Sequence, residues 1–531
     1  MLWKKEKGIY ENICVHPVQM PTSPEMKNNK KSSFYRKMGN ASFQSNDFLD
    51  AIDMYGESLI LAENGTEPVS LAYANRSACF FRLKKYDKCL IDIELAKQSG
   101  YPAKLMPKLE IRKAECLQMI EQNAQIETPT PTLDYAPNEQ FACMANVLEI
   151  DFDEKFGRMI KATCDIPAGK IVLIEPAEMK LHFRNKHKNC CYCLKDHTNT
   201  VPCKKCTLAL FCYNNERCMN NTYHQIECGM EMASDDNVSV LNMDVIRSVL
   251  VVLEMFPDAK ELMKFVEKAI SPENVKRIVP NITDEKHKYE AFLQLWYSAH
   301  ICDEPWFVTL VQFTYRTLMK KPSIKKKFPS VKLQRFLMHL IGHHFCIIYC
   351  NRGGIGYNDV EEIGVYVTVE SLAIISSYIN HSCAPNIDVI PGDDFKICLT
   401  IRPIKKGEQL FVSYFRNDTR RRSHDKKYRQ DTLQKMSGFK CECERCSDKQ
   451  PTSAQRNAME KNEAFVYIML NAKTPNKYSE SESTMMMTKC LEFLNRFGHL
   501  KWAPEMEIVG ERYIEVLAQK YRKECQFMFV K

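Results

Sequence analysis

Eight soft ligands crowd the segment between residues 190 and 228: Cys190, Cys193, Cys203, Cys206, Cys212, Cys218, His224 and Cys228. Two Cys-x2-Cys pairs followed by two further ligand pairs supply enough thiolate and imidazole donors for two tetrahedral zinc sites. So few apolar residues separate them that the energy of metal binding has to serve as the folding energy of the segment. Cys191 adjoins the first pair and is expected to be a bystander. A second group stands in Phe439-Lys440-Cys441-Glu442-Cys443-Glu444-Arg445-Cys446. Three cysteines leave a tetrahedral ion one ligand short, and Cys383, in Tyr378-Ile379-Asn380-His381-Ser382-Cys383-Ala384-Pro385-Asn386, is the natural fourth.

The composition says where such chemistry operates. The chain has 531 residues, 45% hydrophobic and 26% charged, enough for three or four domains with substantial cores. No apolar run reaches the roughly 20 residues that cross a bilayer, and Met1 to Lys7 has no apolar signal core. The expected setting is cytoplasm and nucleus, where 24 cysteines are not a disulfide framework and triplets such as Asn64-Gly65-Thr66 are chance matches to glycosylation acceptors. The net charge of +8 is read as spread along the chain, which argues against a nucleic-acid-binding face.

The elements around these groups follow from periodicity. Residues 1–32 are polar and broken by Pro17, Pro21 and Pro24, as in a flexible leader. Between Ser33 and about Ile120 apolar residues recur at helical spacing, and two stretches repeat after 38 residues: Gly39 to Tyr55 and Ser77 to Ile93. The small residues Gly39, Ala51, Ser77 and Cys89 let paired helices approach, and Glu63 to Pro68 fits the loop between the units. A third, partial unit begins near Lys108. Residues 121–144 carry three prolines and read as a linker; Val147–Ile150 and Lys170–Ile174 are short strands flanking the turn Pro167-Ala168-Gly169. Helical patterning covers 240–350, short strands return over 360–415, and helices close the chain at Ala458–Leu470, Cys490–Phe497 and Ile508–Tyr521.

The repeats resemble tetratricopeptide repeats, and the ligand pattern from 190 to 228 resembles a MYND finger. That resemblance implies interleaved sites, Cys190, Cys193, Cys212 and Cys218 for one ion and Cys203, Cys206, His224 and Cys228 for the other. The family usually puts three residues between its fifth and sixth ligands, which lands on Glu216, so either the loop reroutes to Cys218 or Glu216 supplies an oxygen. The stretch Tyr378 to Asn386, followed by Gly407-Glu408-Gln409-Leu410-Phe411-Val412-Ser413-Tyr414, resembles the SET domain. It implies that the C-terminal strand threads under the Asn-His-Ser-Cys loop as a pseudoknot. Asn380 and His381 then lie against S-adenosylmethionine, with Tyr414 at the mouth of the transfer channel.

Methyl transfer needs a neutral amine aligned behind the methyl of a sulfonium, so the site must position more than it moves protons. The Tyr414 hydroxyl suits orientation of the amine, and electron-rich surroundings help hold the cation. By the same resemblance Gly157 and Arg158, in Phe156-Gly157-Arg158-Met159, belong to the N-terminal cofactor loop, where Met159 replaces a second family glycine. Asn351 meets the methionine part of the cofactor, and Phe439 stacks on its adenine, beside a post-SET zinc on Cys383, Cys441, Cys443 and Cys446. Ser437 stands where relatives commonly carry a second channel tyrosine. Gly353-Gly354 reads as a turn rather than a phosphate loop, and the basic run Arg416 to Arg429 as a solvated helix, with guidance of an acidic substrate as the alternative.

The expected architecture is therefore α+β and multidomain: a short-stranded, pseudoknotted SET fold split by a MYND zinc module and flanked by helical repeat segments. Its parts are the leader 1–32, repeats 33–120, linker 121–144, SET N-terminal part 145–186, MYND finger 187–230, helical insert 231–350, SET catalytic part 351–415, post-SET segment 416–450 and C-terminal helices 451–531. The expected function is transfer of a methyl group from S-adenosylmethionine to a lysine of a histone or non-histone protein by a monomer holding three zinc ions. The rival is a catalytically weak adaptor that recruits proline-rich or corepressor partners through the zinc module, or chaperones through the repeats. A sequence-specific DNA reader is disfavoured, since a cross-braced finger lacks a helix to enter a groove. In the repeat family, chaperone C-terminal tails are held at five positions that fall here on Arg36, Asn40, Asn75, Lys108 and Arg112, whose amides and cations suit a carboxylate-rich peptide.

Overall fold

The structure is a computed structural model. It describes residues 26–122, 131–176, 179–182, 190–193, 198–220, 222–230, 236–279, 282, 284–351, 369–391, 395–415, 425–447, 451–473, 478–500 and 502–521. Most of the leader, Gly353-Gly354 and the basic residues 416–424 lie outside them. Five helices come first: α1 Asn29–Gln44, α2 Phe48–Leu61, α3 Glu67–Arg82, α4 Tyr86–Gln98 and α5 Met106–Gln122. Strands β1 Leu148–Asp153, β2 Gly157–Ala162, β3 Ile171–Pro176 and β4 Met179–His182 follow. The cysteine-rich segment adds β5 Thr200–Pro202, β6 Leu210–Cys212, α6 Glu216–Met219 and α7 Thr222–Glu227. Then come α8 Asp236–Met255, α9 Ala259–Ala269, α10 Glu285–Leu293, α11 Pro305–Met319, α12 Pro322–Lys327 and α13 Val331–Asn351. The chain continues through β7 Val369–Leu372, β8 Asn380–His381, β9 Ile387–Pro391, β10 Phe395–Thr400 and β11 Phe411–Val412. It finishes with α14 Lys426–Ser437, α15 Ser453–Glu460, α16 Glu463–Leu470, α17 Glu480–Phe497 and α18 Pro504–Tyr521.

These elements form two units, one from residues 1–126, 182–251 and 305–341, the other from 127–181, 252–304 and 342–531. In the first, α1 to α5 pack in sequence order around Ala51, Tyr55, Leu59, Phe80, Cys89 and Ile93, all buried. Burying each large apolar side chain contributes about 1.5–3 kcal/mol. Gly39 behaves as its spacing predicts: a Cβ there would stand 2.6 Å from the Tyr55 ring, so only glycine lets α1 and α2 close up. Two boundaries differ from the sequence expectation. Asn28 accepts hydrogen bonds from the amides of Lys30 and Lys31, which starts α1 before Ser33. Glu67 and Pro68, expected in a loop, form the first turn of α3, where proline costs no hydrogen bond.

The same unit holds the cysteine-rich segment, joined to the repeats by a buried polar network. The Arg76 guanidinium, 1% exposed, donates to both carboxylate oxygens of Asp92 at 2.6 and 2.9 Å and to the Thr200 hydroxyl and carbonyl at 3.0 Å. Asn199 donates to Asp92 at 2.7 Å and to the Lys88 carbonyl at 2.8 Å. Leu210 adds an apolar contact with Ile60 and Leu61.

In the second unit β1 and β2 form an antiparallel hairpin whose turn is closed by Gly157 at φ +70°. The stretch expected to be a cofactor loop is thus mostly strand, with Phe156 in the turn and Gly157 the first residue of β2. Strands β3, β10 and β9 make an antiparallel sheet in that order, and β8 runs parallel to β11 with Asn380 opposite Phe411 and His381 opposite Val412. Part of the expected linker belongs to this fold: Phe141 and Met144 are buried, and the adjoining Ala145 donates its amide to Val172. Apolar side chains and an available β3 edge override the proline-rich local composition there. The terminal helices bury Phe493, Leu494, Val509 and Tyr513 against Ile390, Ile397 and Leu399 of the sheet. Asn462 caps α16 and splits the continuous helix expected over Ala458–Leu470.

Candidate functional site

In the first unit the ligand atoms of Cys190, Cys193, Cys212 and Cys218 lie within 4.8 Å of one another, and so do those of Cys203, Cys206, His224 and Cys228. The interleaved pairing is thus what the fold brings together. Cys218 is 1% exposed, and Asn215 caps α6 by accepting its amide hydrogen bond, so the loop delivers the thiol and not Glu216 to the sixth position. Zinc–sulfur bonds of about 2.3 Å in a tetrahedron require neighbouring sulfurs about 3.8 Å apart. Cys193 and Cys212 stand 3.5 Å apart and Cys203 and Cys228 3.9 Å, which fits that ion.

Cys191 is more than a bystander. It is buried, takes a hydrogen bond from the Arg247 guanidinium at 2.6 Å, and clusters with His224 and Glu227. Arg247 also pairs with Glu227 at 2.8 Å, and His224 turns Nδ1 toward Glu227 while its Nε2 faces the Cys206 sulfur at 3.7 Å. Burial opposes charge on Glu227, yet Arg247 and His224 hold its carboxyl below the usual range. A carboxylate behind a metal-binding imidazole fixes the ring's orientation. Nothing in the cysteine spacing announces Arg247.

The second unit gathers the third group, Cys383, Cys441, Cys443 and Cys446, again within 4.8 Å, with Cys383 at 3.9 Å from Cys441 and 3.6 Å from Cys446. Arg429, the last residue of the expected solvated basic run, is 4% exposed and directs its guanidinium at the Cys446 sulfur. That corrects the expectation at this residue: its cation faces a concentration of thiolate charge, not water.

The His381 ring sits between this group and Tyr414. Its Nδ1 accepts the Tyr414 amide hydrogen bond at 2.9 Å, and its Nε2 lies 3.2 Å from the Cys383 sulfur. Burial pushes its pKa down to about 3, so the ring is neutral. With both nitrogens engaged, His381 can meet a ligand only through its backbone or ring edge. The Asn380 amide donates to the Arg158 carbonyl at 3.0 Å, which ties the motif to β2. The Arg158 terminal nitrogens are committed too, to Gln294 and to the carbonyls of Val275 and Arg277, while its buried Nε has no partner among the described residues. Asn351 closes α13 and donates to the Trp296 carbonyl at 2.8 Å.

Tyr414 donates its hydroxyl to the Ile379 carbonyl at 3.3 Å, and burial pushes its pKa up to about 12. Its ring centroid lies 5.0 Å from that of His381, which is 6.1 Å from that of Phe439. Ser437 ends α14, and Gly438 follows at φ +70° with its would-be Cβ 3.6 Å from the Trp296 indole. Trp296 is 55% exposed at this point, a residue the motif reading missed. So are two that hold the motif. The buried Glu175 carboxylate accepts the amides of Ile375 at 2.6 Å and Ser376 at 2.7 Å, and Asn386 brackets Gln409 and Phe411 with both ends of its amide.

The surroundings suit a polar cofactor. The hydroxyls of Tyr378 and Ser298 are buried with no hydrogen-bond partner among the described residues, and, chain neighbours aside, no atom of the described residues lies within 4 Å of where a Gly157 Cβ would be. Unsatisfied buried donors and an open glycine turn within one unit are features that a cradle for a polar ligand presents.

Comparison with known proteins agrees. Residues 157–415 match the SET domain family. The protein-lysine N-methyltransferase SMYD4 of Pongo abelii is 30% identical over 37% of this chain and 33% of its own length. The Gallus gallus protein of that name is 21% identical over 72% of this chain and 68% of its own. The SET domain and MYND-type zinc finger protein 6 of Schizosaccharomyces pombe is 23% identical over 56% and 51%. The chain spans about a third of the length of the first of these relatives. Among solved structures, the SET domain of LSMT bound to lysine and AdoHcy covers 79% of this chain and 91% of its own at 13% identity, with a TM-score of 0.25 too low to carry an argument. The chain thus matches the SET domain family over residues 157–415 and is similar to SET and MYND domain-containing proteins.

Proposed function

We propose that the chain is a protein-lysine N-methyltransferase that uses S-adenosylmethionine. The observation that carries this is the convergence of Asn380, His381, Tyr414 and Phe439 beside the Cys383 ligand group within a SET domain. When bound, the cofactor supplies a methyl group activated on sulfur. The backbones of Gly157 and Arg158, together with Asn351 and Asn380, would hold it, with Phe439 against the adenine. Tyr414 stays a neutral phenol at any physiological pH and orients the lysine amine. Zinc on Cys383, Cys441, Cys443 and Cys446 would pin Phe439 in place and exclude water. Ser437 leaves Tyr414 as the one tyrosine of the channel at these two positions, so catalysis rests on positioning by a single hydroxyl.

The same reading makes the cysteine-rich segment a MYND module inserted in the SET fold, the junction of β8 and β11 the threaded crossing, and α1 to α5 tetratricopeptide repeats. Arg36, Asn40, Asn75, Lys108 and Arg112 then offer a chaperone-tail dock. Asn75 donates to Asn40 at 2.8 Å, and the buried Arg36 Nε has no partner among the described residues, which supports it. Arg112 is tied to Ala74 and Ser77, so a peptide ending in Glu-Glu-Val-Asp should lose affinity for Arg36→Ala and Lys108→Ala.

Calorimetry of the full chain with S-adenosylmethionine, beside a methyl-transfer screen over protein substrates, tests the main reading. Tyr414→Phe should keep cofactor affinity within about twofold and lower transfer about 100-fold. No binding of cofactor by the unmutated chain overturns it.

A further inference from the structure

We propose that the helical corner from Arg316 to Arg335 docks the phosphate backbone of nucleic acid without reading its sequence. The charge of the chain is not evenly spread: no Asp or Glu occurs from residue 305 to 358, and eight Lys and Arg residues fall between 316 and 335. Arg316, Lys325, Lys326, Lys332 and Arg335 are exposed and make no ion pair among the described residues. They come from three consecutive helices, the end of α11, all of α12 and the start of α13.

Gln334 fixes the corner. Its amide donates to the Phe328 carbonyl at 3.1 Å and accepts the Tyr315 hydroxyl at 3.4 Å, so all three elements meet at one side chain. Ile324 and Phe328, 1% and 0% exposed, anchor the run from below. The lysines are therefore presented on a folded surface, and the run cannot be drawn out as an extended peptide signal without exposing both anchors. Lys321 donates to the Cys228 carbonyl at 3.2 Å, which sets the patch beside the second ligand group of the same unit.

The chemistry favours phosphates. Six of the eight cations are lysines, compact point charges without a fixed fork geometry, which suits sequence-independent neutralisation of a string of phosphates. A membrane surface needs a second anchor besides basic residues, and Val331 is the one large apolar side chain strongly exposed within this corner. Duplex DNA and duplex RNA share the required chemistry.

Fluorescence anisotropy of the full chain with labelled duplexes of about 30 base pairs, DNA and RNA in separate arms, tests this. With five phosphate contacts on DNA, log affinity should fall against log salt with a slope of about −4.5, roughly a 500-fold loss between about 50 and 200 mM. The variant Lys325→Glu, Lys326→Glu, Lys332→Glu should flatten the slope by about 2.7 and bind more than 10-fold more weakly at low salt. A control with Lys104→Glu, Lys406→Glu and Lys461→Glu, equal in charge and exposed elsewhere, should bind as the unmutated chain does. Equal loss in both variants, an unchanged slope in the first, or stronger binding to a polyglutamate peptide or to anionic vesicles at the same ionic strength would each overturn the proposal.

Discussion

Replacing Asp92 with Ala leaves the Arg76 guanidinium buried with no counter-charge. Both residues are at most 1% exposed, so water cannot take over. The change deletes two short hydrogen bonds to Arg76 and the acceptor of the Asn199 amide, while the two bonds from Arg76 to Thr200 remain. Removing one partner of a buried pair costs about 3–5 kcal/mol, and the surviving Thr200 bonds place Asp92→Ala toward the lower end, about 3 kcal/mol. The double change Arg76→Met with Asp92→Leu removes the charge together with its partner and should cost about 1 kcal/mol or less beyond the lost Thr200 bonds. Because the network joins α3 and α4 to β5, both the helical arm and the metal-binding segment should feel the single change. Urea unfolding followed by circular dichroism, with zinc release to a colorimetric chelator read in parallel, measures the two together. If Asp92→Ala is as stable as the double variant, the argument from an unpaired buried charge fails.

Cys383→Ser should lower bound zinc from three ions per chain to two by elemental analysis, and weaken cofactor binding at least 10-fold, since His381 loses the sulfur that holds its Nε2. Glu175→Gln keeps one good acceptor for the two amides it serves, so cofactor affinity should fall several-fold by calorimetry with zinc content unchanged. Tyr378 and Tyr414, both pushed up to about 12 by burial, favour the neutral phenol in the folded chain. The stability they contribute is therefore complete below pH 10 and is lost as pH rises from 10 toward 12. In ultraviolet titration Tyr378→Phe and Tyr414→Phe should each remove one late-ionising phenol relative to the unmutated chain, and loss of a phenol that ionises near pH 10 in either variant would contradict this.

Much of the site was legible because metal ligands and turn glycines obey local rules. Cys-x2-Cys spacing, the short run Asn380-His381-Ser382-Cys383 and the thiols at 441, 443 and 446 state their chemistry without a fold, and the structure gathers each group as paired. The helical arm was legible for a similar reason: period and small residues suffice to place α1 to α5. What escaped depends on partners remote in sequence. Arg247, Glu175 and Trp296 have no motif, and each matters only because another element arrives beside it. Arg429 looked like part of a water-facing charge run, and only the thiolate cluster, to which Cys383 comes from 58 or more residues away, makes its burial sensible. Residues 136–144 were misjudged because proline content speaks of local stiffness, whereas burial of Phe141 and Met144 depends on an open strand edge. The clustering of lysines over 316–335 was visible all along, but a net charge averages it away.

Cys383 has one more consequence, for the unfolded chain. A metal ion held between Cys383 and Cys441 closes a loop of 58 residues, a cross-link that would remove about 4 kcal/mol of chain entropy from the disordered state. A disulfide would do the same but could not persist where thiols are kept reduced. An ion offers that constraint reversibly, so the ordering of the Phe439 segment becomes a function of free zinc concentration.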